Sequence, residues 1–558
     1  MEAKLYKNLP IGVSDFRDVI CSRFYYVDKT VLIQRLLDNQ ARAVLFTRPR
    51  RFGKSLALDM LHRFFDCNAK EENRSLFSGL AVSQSEHHMV EQGKYPIIHL
   101  TFKDAKYNSW QQAERRLALS FAEQFKRYEY LLSSERISQT DKNQLLLIQA
   151  GQADLDILSS SLSFLGRIMH RHHGQPVVLL IDEYDVPIQS AYQNHYYEDM
   201  ILFMRSFFTA GLKDNPDLRL AVLTGVMRIA KESLFSGLNN LKVDTILSED
   251  YADCFGFTQT EVEKMAHYYG RQDKIGELQA WYDGYRFGES DIYNPWSVLM
   301  YFSNRCKAQA YWLDTSSNDL TIEFLRRLET NKREQVWALY RGGTVKAAVD
   351  TAVSYQQLDS ADPDIIFSLM AVTGYLKPIQ ALSGGRYLLQ VPNAEINSVF
   401  SAEIAGYLKR EHSVTDLQEL LDALQANDNK AFLAKLRDIL VQSVSFFDGQ
   451  EAFYHGFITC LLLGLSEYYQ VLSNREAGLG RADILLQPRF DNSLPGLVFE
   501  LKRGDEATQL DSLAEDALRQ IAEKQYAAAF PPEIREVRCY GLAFCKKECE
   551  LRTESIRR

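Results

Sequence analysis

Three groups of residues in this chain have the types and the spacing needed for chemistry on phosphate. The first is Gly53-Lys54-Ser55, at the end of RPRRFGKSL, and the second is Asp182 with Glu183, in PVVLLIDEYD. The third is Asp483, Glu500 and Lys502, in GLGRADILLQPRFDNSLPGLVFELKRG. Lysine, hydroxyl and carboxylate groups are what proteins use to hold phosphates and hard cations.

The first group matches the end of a phosphate-binding loop, G-x-x-x-x-G-K-[ST], although Arg48 stands where the pattern has its first glycine. The apolar run ARAVLFT precedes the loop and KSLALDMLHRFF follows it at helical spacing, which predicts strand, tight loop and helix. A helix N-terminus directs free N–H groups and its positive dipole end at a phosphate. We therefore expect Lys54 to reach the β- and γ-phosphates of ATP and Ser55 to hold Mg²⁺; a degenerate loop and a chance match are the alternatives.

Two further strand ends support a nucleotide site. Asp182 ends one apolar run and is expected to bind Mg²⁺, and the adjacent Glu183 is expected to act as the base that orients water. Thr224 ends the run LRLAVLTG, where we expect it to sense the γ-phosphate, and Arg228 beyond it is a candidate sensor or arginine finger. Polar residues at the end of a single strand are often only solvated surface, but three such strand ends in this order along the chain favour nucleotide binding.

The third group predicts a metal site on a β-hairpin. Glu500 and Lys502 are two residues apart, so they share one face of a strand, and Asp483 precedes the partner strand by a spacing that can bring it beside them. Two carboxylates can hold Mg²⁺ or Mn²⁺ that activates water, while Lys502 orients the nucleophile or neutralises developing charge. The alternative is a surface salt-bridge cluster.

Residues near this hairpin are secondary candidates. Glu467 and His455, on a preceding helical stretch, are further possible ligands, although lone residues of these types are more often structural. Gln520 and Lys524 lie on the following helix (515–530), and a solvated amphipathic face is the alternative for them.

Composition limits the class of protein. The chain has 558 residues, 46% apolar and 25% charged, which predicts about three globular domains. A net charge of −9 gives no global basic surface, so contact with nucleic acid needs a local patch. The eight cysteines match neither a zinc site nor a disulfide framework, and there is no secretory signal or membrane-length apolar run, so we predict a soluble cytoplasmic protein that does not contact a membrane.

The middle of the chain carries no chemistry. WYDGYRFGESDIYNPWSV is rich in aromatic residues, glycine and proline, which favours a structural cluster over a binding site. Residues 321–343, 395–412 and 417–442 show helical periodicity. We predict an ATPase domain over 1–250, a helical middle region or lid over 251–445, and a third domain over 446–558.

The motifs named above, with YVDKT, FGFTQTEV and GYL, resemble the AAA-ATPase-like family of bacterial ATP-binding proteins. In that family the loop itself reads R-P-R-R-F-G-K-S, so the missing glycine is the family's own form. The resemblance implies a P-loop ATPase domain with a parallel sheet and a nucleotide-binding loop that comprises Arg50, Arg51, Phe52, Gly53, Lys54, Ser55 and Leu56. Arg48, Arg50 and Arg51 are expected to add positive charge to this phosphate cradle, and solvated surface is the alternative for each of them.

The spacing D-x16-E-L-K is similar to the PD-(D/E)XK nuclease superfamily, whose α/β domain commonly ends this ATPase family. Asp483, Glu500 and Lys502 match its three signature positions, while Ala482 replaces the usual proline. The resemblance thus implies an ATPase with Mg²⁺ at Ser55 and Asp182, coupled to a metal-dependent nuclease that acts on DNA rather than RNA. The rival interpretation is a nucleotide-dependent switch whose last domain binds a partner without cutting, and the sequence fixes neither a partner protein nor an oligomeric state.

Overall fold

The computed structural model describes residues 6–39, 41–229, 241–312, 335, 338–339, 342–353, 355–358, 362–398, 400, 414–443, 451–465, 467–478 and 480–558. These residues form two compact units. The first holds the described residues among 1–327 and 346–396, and the second holds those among 328–345 and 397–558. The domain boundaries at 250 and 445 stay predictions, because a compact unit can contain more than one domain.

A five-stranded parallel sheet forms the centre of the first unit. Its strands are β1 (Ala43–Thr47), β2 (Ile97–Thr101), β3 (Val177–Asp182), β4 (Leu218–Gly225) and β5 (Leu241–Asp244), in the order β2-β3-β4-β1-β5. The apolar runs of β1 and β3 are buried along their whole length, as expected for strands covered by helices on both faces. All five carboxyl ends therefore meet at one edge, which confirms the predicted parallel sheet.

Helices connect and cover these strands. They are α1 (Phe16–Cys21), α2 (Val31–Asp38), α3 (Lys54–Phe65), α4 (Lys70–Arg74), α5 (Glu86–Met89), α6 (Trp110–Phe125), α7 (Gln139–Gln149), α8 (Leu155–Ser159), α9 (Ser161–His173), α10 (Val186–Gln193) and α11 (Tyr197–Leu212). Helix α3 presents Leu58, Leu61 and Phe64 to a core that includes Val44 and Val178 of the sheet. This packing fixes the N-terminus of α3 at the carboxyl edge.

Small sheets and short helices follow in the first unit. They are β6 (Phe257–Thr258), α12 (Gln259–Tyr268), α13 (Ile275–Tyr282), β7 (Tyr285–Phe287), β8 (Ser290–Tyr293), α14 (Pro295–Ser303), β9 (Val345–Ala348), α15 (Tyr355–Leu358), α16 (Pro363–Thr373), β10 (Lys377–Ala381) and β11 (Arg386–Gln390). The WYDG segment forms the β7–β8 hairpin, which pairs with β6. Tyr282, Tyr293 and Tyr301 are fully buried there, as the predicted structural cluster requires.

The second unit is built on a mixed five-stranded sheet. It contains α17 (Val414–Gln425), α18 (Asn429–Ser443), α19 (Glu451–Leu462), β12 (Tyr469–Ala477), β13 (Gly480–Pro488), β14 (Gly496–Arg503), α20 (Leu510–Glu523), β15 (Glu536–Cys545) and β16 (Glu548–Arg557). The strands follow chain order, and only β14 and β15 are parallel. Parallel neighbours need a crossover, which α20 provides.

Helices α17 and α18 confirm the helical periodicity of 417–442. Most of the predicted helical stretches 321–343 and 395–412 lies outside the described residues, as do residues 230–240 of the TGVMRIAKESLFSGLNNL motif. Within the described ranges, no helix combines the length and the apolar character that crossing a bilayer requires.

Candidate functional site

The phosphate-loop sequence forms the predicted strand, loop and helix. The loop turns from β1 into α3 through Gly53, whose φ of 81° lies in the left-handed region that glycine adopts without strain. Arg51 shares this region with a φ of 70°. Lys54 begins α3 and is 8% exposed, and Ser55 follows it at the helix N-terminus.

The Lys54 ammonium lies inside the loop. Its Nζ donates to the carbonyl oxygens of Arg48 at 2.9 Å and Pro49 at 2.8 Å. Burial lowers the pKa of Lys54 to about 8, against the opposing attraction of Asp182 and its acidic neighbours. A buried ammonium that is held by neutral carbonyls gains from an anion, so this arrangement suits a phosphate.

Oxygen atoms from three elements meet beside Lys54. The Ser55 hydroxyl donates to Oδ2 of Asp182 at 2.5 Å, and the Thr224 hydroxyl donates to Oδ1 of the same carboxylate at 2.5 Å. The strand order β3-β4-β1 produces this contact, since β4 lies between the other two. A hydroxyl and a carboxylate at this separation are the donor set that Mg²⁺ prefers, so Ser55 and Asp182 fit that ion.

The acidic residues after Asp182 have different surroundings. Glu183 has a φ of 53°, a conformation that is costly for a residue other than glycine and often marks a functional position. Burial, and then Asp182, raise the pKa of Glu183. Asp185 is buried and accepts from the backbone N–H groups of Val226 at 2.8 Å and Met227 at 3.0 Å, so it fixes the chain after β4.

The arginines of the loop are not equivalent. Arg48 is 0% exposed and forms an ion pair with the buried Asp244, and its guanidinium carbon lies 4.9 Å from the ring centroid of Phe287. The interpretation of Arg48 as part of the phosphate cradle or as solvated surface is therefore wrong. Arg50 donates to Gln189 at 3.3 Å, and the guanidinium carbon of Arg51 lies 4.5 Å from the ring centroid of Trp296.

A cavity of about 510 Å³ opens at this edge of the sheet. Its volume is within the usual range for small-molecule sites. Cationic side chains outnumber acidic ones in its wall, which favours an anionic ligand. Among the predicted residues, its wall includes Arg50, Arg51, Phe52, Gly53, Lys54, Ser55, Leu56 and Glu183.

The other predicted residues lie behind this wall. Asp182 and Thr224 are buried and reach the cavity through Ser55, whereas Phe52 is both buried and part of the wall. Arg228 is half-buried and is not part of the wall, and its Nε has no hydrogen-bond partner within the described ranges. The roles of Thr224 and Arg228 toward a γ-phosphate stay predictions.

The predicted residues of the second unit come together on its sheet. Strands β13 and β14 pair with Ile484 opposite Phe499, so Asp483 lies next to Glu500. Asp483 lies inside β13, which begins at Gly480, and not before the strand as the hairpin prediction had it. Its Oδ2 accepts from the backbone N–H of Leu501 at 2.8 Å.

Helix α20 completes this cluster with Gln520. Its Oε1 accepts from Nζ of Lys502 at 2.7 Å, and its amide nitrogen donates to Oε1 of Glu500 and to the Tyr526 hydroxyl, the latter at 3.3 Å. Lys502 Nζ lies 3.4 Å from Oε1 of Glu500. Gln520 therefore contacts both Lys502 and Glu500, and its side chain is not part of a solvated face.

The electrostatics of the cluster suit a cation. Burial, and then the charge of Asp483, raise the pKa of Glu500 to about 7, and burial raises the pKa of Asp483. Glu500 Oε2 is buried and has no hydrogen-bond partner in the described part of the chain. A buried carboxylate oxygen without a donor needs an explanation, and a metal ion supplies one. Asp483 and Glu500 thus fit Mg²⁺ or Mn²⁺.

The secondary candidates differ in their placement. His455 is buried on α19, and its Nε2 lies 3.0 Å from the backbone oxygen of Asp483, so it contacts the site through the main chain. Glu467 is exposed just before β12. Lys524 is exposed at the end of α20. None of these placements assigns a ligand.

Two arrangements thus define the class of protein: an α/β phosphate-loop unit, and a mixed-sheet unit with an acidic and lysine cluster of nuclease type. Comparison with known proteins agrees. Residues 10–235 match a family described as predicted AAA-ATPase, and residues 449–554 match the PD-(D/E)XK nuclease superfamily. A protein of Azotobacter chroococcum mcd 1, named as uncharacterized and encoded in the vnfD 5′ region, is 31% identical over 400 residues, which cover 70% of this chain and 69% of that protein.

The chain therefore belongs to the AAA-ATPase-like family and carries a C-terminal PD-(D/E)XK nuclease superfamily domain. Both parts of the predicted resemblance are confirmed, and together they define a nucleotide-dependent, nuclease-like protein.

Some residues of this cavity wall were absent from the sequence prediction. Lys103 and Lys106 follow β2, and Trp296 is the second residue of α14, in the segment for which the sequence favours a structural role over binding. The run YPIIHLTF before Lys103 is the signal that was missed, because it is a fourth apolar strand that ends in polar residues. Nothing local marks Trp296, whose role depends on its contact with Arg51.

Proposed function

We propose that this protein binds ATP with Mg²⁺, hydrolyses it, and uses its nucleotide state to control a metal-dependent nuclease that cuts DNA rather than RNA. The observation that carries the ATPase half is the convergence of Lys54, Ser55, Asp182 and Glu183 at one cavity edge. In hydrolysis the bond between the γ-phosphorus and the β–γ bridging oxygen breaks, and a bond to a water oxygen forms. Glu183 takes the proton of that water, and Mg²⁺ neutralises charge on the phosphates.

The nuclease half is supported by the Asp483, Glu500, Lys502 and Gln520 cluster. Asp483 and Glu500 would hold a divalent cation, which would supply a water activated for attack on a phosphodiester phosphorus. Lys502, fixed by Gln520, places a positive charge where negative charge develops. One phosphorus–oxygen ester bond breaks, and the leaving oxygen takes up a proton.

The test is cleavage of labelled single- and double-stranded DNA and RNA with Mg²⁺ or Mn²⁺, with and without ATP, using the full chain. Asp483→Asn and Lys54→Ala are compared with matched controls on exposed residues of the same types, Asp505→Asn and Lys213→Ala. Phosphate release is measured in parallel, with Glu183→Gln against the exposed Glu114→Gln.

Cleavage of DNA that is lost in Asp483→Asn and changed by ATP or by Lys54→Ala supports the whole proposal. Cleavage that Lys54→Ala leaves unchanged supports a nuclease outside ATP control. ATP turnover without cleavage of any substrate refutes the nuclease half and supports the nucleotide-dependent switch. A lack of ATP binding by the wild type refutes the ATPase half.

A further inference from the structure

The two lysines after β2, Lys103 and Lys106, are in the wall of the nucleotide cavity. Both are exposed, and no acidic side chain in the described part of the chain forms an ion pair with either. Lysine ammonium groups that face a cavity without acidic partners raise its positive potential and are available to an anion. Neither residue belongs to the loop that binds phosphates in the sequence pattern.

Strand register places these lysines beside the catalytic edge. Thr101, the last residue of β2, is paired with Asp182, and the next residue, Phe102, donates its N–H to the carbonyl oxygen of Asp182 at 3.0 Å. Lys103 follows directly. The β2 loop therefore continues past the same edge as Glu183, the proposed base.

The sheet order gives the cavity a direction. From β2 toward β1 its wall presents Lys103, Asp104 and Lys106, then Glu183 and Asp185 after β3, then Gly225 and Val226 at the end of β4, and then the phosphate loop after β1. Adjacent strands are about 4.8 Å apart, so β2 lies roughly 14 Å from β1. This distance is within reach of a triphosphate and a lysine side chain extended toward each other.

Another part of the cavity wall is apolar and aromatic. Tyr25, Val27, Phe257, Trp296 and Leu299 are all in its wall, and they pack in one hydrophobic cluster or against it. An aromatic, apolar wall suits a nucleotide base, and a wall with unpaired cations suits the terminal phosphate.

We propose that Lys103 and Lys106 bind the terminal phosphate of ATP and supply the cationic charge at the γ-phosphate, a role for which the sequence made Arg228 a candidate. This inference rests on the proposed ATP site. Arg228 is not part of the cavity wall, whereas both lysines are. A charge at the γ-phosphate discriminates ATP from ADP, because ADP lacks that group.

The experiment measures ATP and ADP affinities of the full chain by calorimetry, together with the rate of phosphate release. Lys103→Ala/Lys106→Ala is expected to weaken ATP binding about tenfold or more, and to change ADP binding less than about twofold, because the charged hydrogen bonds that it removes reach only the γ-phosphate. The double arginine variant keeps the charge and is expected to keep the ratio of affinities. Trp296→Leu, in the apolar part of the wall, is expected to weaken both nucleotides alike, and Lys213→Ala is the surface control.

An unchanged ATP/ADP ratio in the double alanine variant, with wild-type binding of both nucleotides, overturns this inference and leaves the proposed ATP site intact. Equal weakening of ATP and ADP also overturns it, because the lysines then act elsewhere on the nucleotide. If the wild type binds neither nucleotide, the proposed function fails and the inference fails with it.

Discussion

For a replacement of Arg48, the sequence motif and the structure predict different changes in stability. Arg48→Gly restores the first glycine of the phosphate-loop pattern, so the pattern alone expects a neutral or improved loop. The structure predicts a large loss of stability, because Arg48 is fully buried and forms an ion pair with the carboxylate of Asp244, which is 1% exposed. Removing the arginine leaves that charge buried and unpaired.

The magnitude follows from the surroundings of the pair. Burial lowers the pKa of Arg48 and raises the pKa of Asp244, so for both groups desolvation outweighs the mutual attraction. Removing one partner of such a pair costs about 3–5 kcal/mol, whereas replacing both by apolar groups of similar volume is often neutral or stabilising. We therefore expect Arg48→Ala and Arg48→Gly to lose about 3–5 kcal/mol, and Arg48→Met/Asp244→Leu to recover most of it.

Urea unfolding followed by tryptophan fluorescence is the assay. Of the 5 tryptophans, those at positions 110, 281, 296 and 312 belong to the first unit, so the signal reports chiefly on that unit. Arg17→Ala is the control, since its ion pair with Glu72 is exposed and screened by solvent and so contributes little to stability. If Arg48→Ala and Arg48→Gly both unfold within about 1 kcal/mol of Arg17→Ala, the buried-pair argument is refuted.

Three further predictions concern other parts of the molecule. Burial raises the pKa of Glu395 from 4.5 to about 7, so the folded state binds a proton there that the unfolded state releases. The contribution of this proton to the free energy of unfolding is fully present below pH 4.5 and is lost as pH rises through 7. Glu395→Gln should therefore remove up to about 3 kcal/mol of the pH dependence of the free energy of unfolding, measured in urea titrations between pH 4 and 8. Because Glu500 has a pKa of about 7, Mn²⁺ affinity measured by calorimetry should fall by up to about tenfold per pH unit below 7 and stay level above it, and a constant affinity from pH 5.5 to 8 would contradict this. Gly256→Ala should destabilise the first unit by about 1–3 kcal/mol in urea unfolding, since φ is 81° and the new Cβ would lie 2.2 Å from Ile292; Gly276→Ala, where the Cβ meets no atom within 4 Å, should not, and equal effects would contradict the argument.

The sequence predicts the nucleotide edge well because parallel topology does most of the positioning. Once ARAVLFT, PVVLLID and LRLAVLTG are taken as buried parallel strands, the residues after them must share one edge. Two hydrogen bonds link Ser55, Asp182 and Thr224. Predicting them requires the strand order as well, and no local sequence pattern reveals that β4 lies between β1 and β3.

The burial of Arg48 could not be predicted from the sequence either, because it depends on a contact that forms only on folding. Its partner Asp244 lies 196 residues away and is recognisable only after folding. A charged residue in a loop is assigned to solvent by default, since isolated burial of a charge is costly. In the second unit, by contrast, the two-residue spacing of Glu500 and Lys502 on one strand fixes their contact locally, which is why that cluster was predictable.

The family's loop keeps its shape through contacts with later parts of the same unit. This loop lacks the flexible first glycine, and a neighbouring group holds each residue of the stretch 49–52. Gly374 lies against Pro49, and Trp312 donates to the carbonyl oxygen of Arg50. Trp296 stacks on Arg51, and Tyr285 contacts Phe52. Any change in this loop on nucleotide binding must therefore alter contacts with these groups, and by linkage their arrangement affects nucleotide affinity. The turn-rich aromatic segment thus supports the loop of the proposed ATP site, and substitutions in this segment should change ATP affinity as well as stability.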